Sequence, residues 1–182
     1  MYASGMELRL GYLVRHDGRM CTVVFWNILR NDRRTFVQLR LKDLETGRLT
    51  ELKEGTDTKW EVLEREEREL TYSYRDGIDE VFFMESGEEL RCPVAAAEDA
   101  LRWPAESYQG MFIEDALVAV LPPKYCTLEI TETDPSMKGG GSGSKEAILE
   151  NGVKVKVNLL CNIGDRVRVE TDTLEVKERV TK

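Results

Sequence analysis

Short runs in which apolar and polar side chains alternate, each closed by a turn signal, recur through most of the chain and leave room for one convincing helix. A period of two demands a pleated surface with one buried face, so this pattern constrains the fold more than any other feature. The clearest run is Thr35 to Asp43, where Val37, Leu39 and Leu41 face one side and Gln38, Arg40 and Lys42 the other. Before it, Cys21 to Asn27 is β-branched and aromatic, which suits a strand. Together they predict a long β-hairpin between Arg19 and Leu44, with Leu29-Arg30-Asn31-Asp32-Arg33-Arg34 at its tip. The tip has no glycine or proline to make it compact, and it carries Arg30, Arg33 and Arg34 against Asp32. The plain reading is a solvated turn; the functional reading is a basic probe.

Further strands follow from the same reasoning. Leu10–Arg15 and Arg19–Asn27 join through His16-Asp17-Gly18, an Asp-Gly hairpin signal, and Thr35–Asp43 and Arg48–Leu52 through Leu44-Glu45-Thr46-Gly47. With Lys59–Glu64 they predict a small barrel, which removes open sheet edges. The charged run Glu64 to Glu69 reads as a boundary or as a short helix. Beyond it, Leu70, Tyr72 and Tyr74 alternate into a turn at Arg75-Asp76-Gly77, and Glu80–Met84 and Glu88–Cys92 flank Ser86-Gly87. Pro93 to Leu101 predicts the helix, with proline in its first turn and alanines inside, and Met111–Leu121 returns as strand with a turn at Glu114-Asp115. After Pro122-Pro123, strands are expected at Cys126–Thr133, Val153–Val157, Arg166–Glu170 and Leu174–Val180, with a hairpin at Asn151-Gly152. Gly139 to Ser144 has the composition of a flexible, even synthetic, linker. The fold class is therefore all-β, three small units over 1–65, 66–127 and 128–182, each of a size that gains from packing on its neighbours.

Charge is uneven along the chain. Residues 1–65 hold 12 Lys and Arg against 10 Asp and Glu, whereas residues 66–127 hold 5 against 14. A basic end on an acidic body points to an oriented approach to a polyanion. Four scattered cysteines with no CxxC pair predict packed, reduced thiols, and one histidine, His16, leaves no set for a metal or a triad. The expectation is a cytoplasmic, monomeric protein that is not an enzyme, with no cofactor, no metal and no membrane span. Trp26, Trp60 and Trp103 read as core or barrel-end packing, with Trp26 the one near enough to the tip to stack on a base.

The sequence Glu129-Ile130-Thr131-Glu132-Thr133-Asp134-Pro135-Ser136-Met137-Lys138-Gly139, followed by Ala147 to Val153 and Val155-Lys156-Val157, resembles the third domain of the bacterial elongation factor P family. Leu10-Gly11, Asp17-Gly18, Phe36, Leu39 to Leu44 and Thr46-Gly47-Arg48 are similar to its first domain. Leu70-Thr71-Tyr72, Tyr74, Asp76-Gly77 and Phe83-Met84 look like the start of its second, and Pro122-Pro123 like the join to the third. The resemblance implies an SH3-like barrel followed by two OB-type barrels in an L-shaped, tRNA-like arrangement. It implies a translation elongation factor that binds the ribosome, ribosomal RNA and peptidyl-tRNA between the peptidyl and exit sites. Such a factor promotes peptide bonds stalled at consecutive prolines, by holding prolyl-tRNA in an attack-ready geometry.

The working ends depart from the family. Its tip is typically a glycine-flanked lysine or arginine, often modified. Counting back from Phe36 puts Asp32 at that position, and counting forward from Gly18 puts Arg33 there. No lysine lies between Arg19 and Lys42, so lysine modification is excluded and Arg33 is the candidate modification site. The RNA-facing loop of the third domain would comprise Lys138, Gly139, Gly140 and Gly141, with Arg179 retained nearby, but the family's Asp-Thr is missing and its Gly-Glu-Tyr has become Leu174-Glu175-Val176. These departures describe a divergent paralogue or an edited loop. The alternative function is a ribosome- or RNA-associated adaptor that has lost peptidyl-tRNA stimulation.

Overall fold

The computed structural model describes residues 1–136 and 142–180. The first sheet is built from β1 (Tyr2–Ser4), β2 (Leu13–His16), β3 (Arg19–Arg30), β4 (Thr35–Asp43), β5 (Leu49–Gly55) and β6 (Lys59–Val62), ordered β1-β6-β2-β3-β4-β5. Asp17 and Gly18 both take positive φ and link β2 to β3, as an Asp-Gly hairpin turn requires. In β4 the predicted alternation holds: Val37, Leu39 and Leu41 are buried with Leu8, Val14, Cys21, Val23, Trp60 and Val62. The outgoing arm alternates less cleanly in sequence because the register against β4 slips between Val23 and Phe25. The extra residue at this bulge returns Trp26 to the face of Val23 and turns Phe25 outward. Strand β1 is too short to show a period, and its pairing with β6 was not expected from the sequence.

A second sheet, ordered β11-β10-β7-β8-β9, comprises β7 (Glu66–Asp76), β8 (Asp79–Phe83), β9 (Glu89–Pro93), β10 (Tyr108–Ile113) and β11 (Ala116–Leu121). Its two end strands, β9 and β11, lie close to one another. The charged run from Glu66 is neither loop nor helix but the first half of β7, paired to β10 from Leu70–Tyr108 to Glu66–Phe112. Strand pairing is a backbone matter, and the charges are settled laterally: Arg68 meets Glu66 at 2.8 Å and Asp115 at 2.6 Å and lies over the Phe112 ring. The expected Asp76-Gly77 turn is shifted by one residue. Asp76 stays in β7 opposite Asp79, and the loop is Gly77-Ile78, with only Gly77 at positive φ. The turn at Glu114-Asp115 is where the sequence indicated, both residues having positive φ. Helix α1 (Val94–Leu101) begins one residue after Pro93, which ends β9, and it buries Ala96, Ala97 and Ala100.

The third sheet is a closed barrel of β12 (Tyr125–Thr133), β13 (Ser144–Leu149), β14 (Lys154–Asn158), β15 (Arg166–Glu170) and β16 (Glu175–Val180), in the order β12-β13-β14-β16-β15. Gly152, at φ 82°, closes the hairpin predicted at Asn151-Gly152. Cys126, Leu128, Ile130, Leu149, Val155 and Val167 are among its core residues, joined by Trp103 from the segment after α1. That segment is tied down by the Asn151 side-chain amide donating to the Arg102 carbonyl at 3.0 Å. The chain accordingly forms two compact units: Met1–Asp99 with Glu106–Leu121, and Ala100–Ala105 with the chain from Pro122 on. Among the described residues, no helix is long and apolar enough to cross a membrane.

Candidate functional site

Strands β3 and β4 stay paired out to Arg30 and Thr35, so the tip of the hairpin is only Asn31 to Arg34. It is compact without glycine or proline. Asn31 N–H donates to the Arg34 carbonyl at 3.0 Å, and the Asn31 side-chain oxygen accepts from the amides of Arg34 at 2.8 Å and Arg33 at 3.3 Å. The side chain thus stands in for a backbone turn, a known use of asparagine. The sequence signal is Asn31 itself, which a reading by charge counts as part of the tip without assigning it this bond. Asp32 and Arg33 share the two-residue apex, so neither alone is the tip.

The charges along the hairpin divide sharply. Arg40 is paired with Glu51 at 2.5 Å and lies over Phe25. Lys42, read from the sequence as solvent-facing, is only 4% exposed and sits between Glu98 and Asp99 of α1 at 2.5 and 2.9 Å. Among the described residues, Arg30, Asp32, Arg33 and Arg34 form no ion pair, and all four are exposed. Three guanidiniums at the end of a long hairpin are therefore left without an ion-pair partner among the described residues, and each is suited to phosphate or to a base edge.

Trp26 is not available to stack on a base. Its indole N–H donates to the Gly5 carbonyl at 2.9 Å, its ring packs on the first core and Arg9 lies 5.1 Å over it. At the root of the hairpin, Asp43 holds the β4–β5 turn. One oxygen accepts from the amides of Glu45 and Thr46 at 2.8 and 3.0 Å, and the other meets Arg19 at 2.9 Å. Burial alone would push its carboxyl up; Arg19 and the two amides outweigh that and hold it at about 2. The four cysteines are free and buried, and burial, reinforced by Glu80, pushes the Cys92 thiol up to about 12, far from a reactive thiolate.

In the second unit Arg179 lies on β16 opposite Val167 and 3.3 Å from Asp165. Lys138, Gly139, Gly140 and Gly141, the other residues expected to face RNA, lie outside the described residues. The structure brings Asn31, Asp32, Arg33 and Arg34 together at one tip, with Arg30 in the last strand pair beneath it.

The family described as Elongation factor P, C-terminal, matches residues 126–179. Elongation factor P of Thermoanaerobacter sp. (strain X514) is 34% identical over 187 residues, covering 99% of this chain and 100% of that one. Its counterpart in Caldanaerobacter subterraneus subsp. tengcongensis is 32% identical over 99% of this chain and 100% of its own. That of Thermosynechococcus vestitus is 32% identical over 92% and 94% respectively. Among solved structures, eukaryotic translation initiation factor 5A from Methanococcus jannaschii is 16% identical with a TM-score of 0.44, covering 67% of this chain and 92% of that one, a level that carries no argument. Curated relatives above 30% identity along essentially their whole length decide the matter: the chain belongs to the elongation factor P family.

Proposed function

We propose that this protein, a member of a translation elongation factor family, binds the ribosome between the peptidyl and exit sites. There it promotes peptide bond formation at consecutive prolines by positioning peptidyl-tRNA. The observation that carries the reading is the hairpin tip, where Arg30, Arg33 and Arg34 have no ion-pair partner among the described residues. Cations left uncompensated at the end of a two-stranded arm are electrostatically arranged for RNA phosphates. The contribution to rate would be orientation of a poorly reactive aminoacyl ester, with the ribosome supplying the chemistry. Ribosomal RNA and peptidyl-tRNA are the partners on this reading, the protein acts as a cytoplasmic monomer, and 1–65, 66–127 and 128–182 are its three domains. Arg33 carries no modification on this reading, and Arg179 together with Lys138, Gly139, Gly140 and Gly141 approaches RNA from the second unit.

The test is translation of a Pro-Pro-Pro template in a reconstituted system. Wild type should relieve the stall, and the triple Arg30/Arg33/Arg34→Ala variant should not. Loss of three phosphate contacts should also flatten the dependence of log K on log salt by roughly 2–3, at ~0.7–0.9 per contact. Failure of wild type to relieve the stall, or full relief by the triple variant, overturns the reading. Asp32 at the apex favours one second reading, an adaptor on the same scaffold without peptidyl-tRNA activity. An adaptor would pull down with ribosomes or RNA in moderate salt yet leave the stall untouched.

A further inference from the structure

The hairpin tip raises a question that its charges alone do not answer. Long arginine side chains on a loose loop would reach RNA, but they would hold nothing in a fixed place. Ordering a backbone on contact costs conformational entropy for every residue fixed, and that cost is subtracted from whatever the contact achieves. In this tip the ordering is done in advance by one side chain. Asn31 uses its backbone N–H on the Arg34 carbonyl and its side-chain oxygen on the amides of Arg33 and Arg34, so both ends of the apex are anchored to a single residue. The arms beneath are zipped to the Arg30–Thr35 pair, and Asp32 and Arg33 alone remain to form the apex. Asp32 and Arg33 have no positive φ, so the turn is not one of the left-handed hairpin types that close themselves through backbone alone.

We propose that Asn31 is the positioning residue of the tip: it touches no substrate itself but fixes the direction in which Arg33 is presented to peptidyl-tRNA. The assignment rests on the proposed function and deepens it. Binding and positioning then depend on different residues. Affinity for RNA comes from the total charge of Arg30, Arg33 and Arg34, which Asn31 does not alter. Rate enhancement comes from the pre-set geometry of the apex, which the Asn31 side chain maintains.

The separation makes two substitutions at one position behave in opposite ways. Asn31→Ala removes the acceptor and leaves the charge untouched. Asn31→Asp keeps an acceptor in the same place and adds a negative charge beside the arginines. The experiment titrates the full-length protein into ribosomes stalled on a Pro-Pro-Pro template and reads two quantities, the plateau rate of peptide bond formation and the protein concentration giving half of it. Asn31→Ala should lower the plateau about five- to tenfold, the size expected for losing an Asx-type cap, with the half-saturating concentration changed less than about twofold, since no phosphate contact is lost. Asn31→Asp should keep at least half the plateau and raise the half-saturating concentration, more so at low salt. Faster hydrogen exchange of the Arg33 and Arg34 amides in Asn31→Ala, with an unchanged circular dichroism spectrum, ties the effect to the turn. A wild-type plateau in Asn31→Ala, or equal loss of plateau in both variants, overturns the assignment. Absence of any stimulation by wild type overturns the proposed function instead, and the role of Asn31 with it.

Discussion

Replacing Asp43 by asparagine separates the two tasks of the carboxylate at the hairpin root. The amide side chain would still offer an oxygen to the backbone N–H groups of Glu45 and Thr46, but the pair with Arg19 and the negative charge would be gone. The wild-type carboxyl is held from an ordinary 3.8 down to about 2 in the folded protein. At about 1.4 kcal/mol per tenfold difference in proton affinity, the gap amounts to roughly 2.5 kcal/mol. Arg19 is 59% exposed, so solvent screening cuts the contribution to about 1–2 kcal/mol. The direction with pH follows from which state takes up protons. As pH drops from about 5 to 2 the unfolded carboxylate protonates before the folded one, so the unfolded chain binds more protons and stability is lost as pH decreases. Asp43→Asn should therefore be less stable than wild type by about 1–2 kcal/mol at pH 7, with the deficit reduced to about a third at pH 2.5. Native-state hydrogen exchange of β4 and β5 amides, read at both pH values, isolates this region from the second unit. A deficit that is the same at pH 7 and pH 2.5 would refute the reasoning, because other titrating groups cancel in the comparison.

Substitutions at three further positions have expected outcomes. Leu174 has φ 57°, a left-handed conformation costing a residue with a Cβ about 1–2 kcal/mol, and its side chain is 41% exposed. Leu174→Gly should stabilise the second unit by up to about 1 kcal/mol after the entropic cost of glycine, measured by urea unfolding. A Cβ at Gly110 would stand 2.4 Å from Leu70 and 2.9 Å from Leu117. Because both leucines are buried, Gly110→Ala should destabilise the first unit by about 1–2 kcal/mol, visible as faster exchange in β7 and β10. Lys42→Met should cost no more than about 1–2 kcal/mol, since Glu98 and Asp99 are 48% and 52% exposed and can return to water. Lys42→Glu, which sets a third carboxylate beside them, should cost over about 3 kcal/mol in the same exchange measurement.

What could be read from the sequence was what is decided locally. The alternation of Val37, Leu39 and Leu41, and the turns at Asp17-Gly18 and Asn151-Gly152, follow from a period of two and from residues that tolerate positive φ, and each stands where expected. What was missed depends on partners distant in sequence. Glu66 to Glu69 form a strand because β10 pairs with them, which no local pattern reports. Lys42 looks solvent-facing until α1, more than fifty residues later, brings Glu98 and Asp99 to it. The site divides in the same way. Its arginines were legible as a charged tip, but the two bonds that the Asn31 side-chain oxygen accepts across the apex are a matter of side-chain geometry.

The position of Trp103 affects how the protein can be made and cut. The indole ring in the core of the closed barrel is encoded some twenty residues before the first strand of that barrel, in a segment that leaves the first unit at Ala100 and re-enters it at Glu106. During synthesis the residue emerges before the strands that will enclose it exist, so the barrel completes its core around a side chain already waiting. A fragment starting at Tyr125 would contain all five barrel strands and still lack one of the largest side chains of its core. The double proline before the barrel is therefore a joint in the chain but not a place where the protein can be divided.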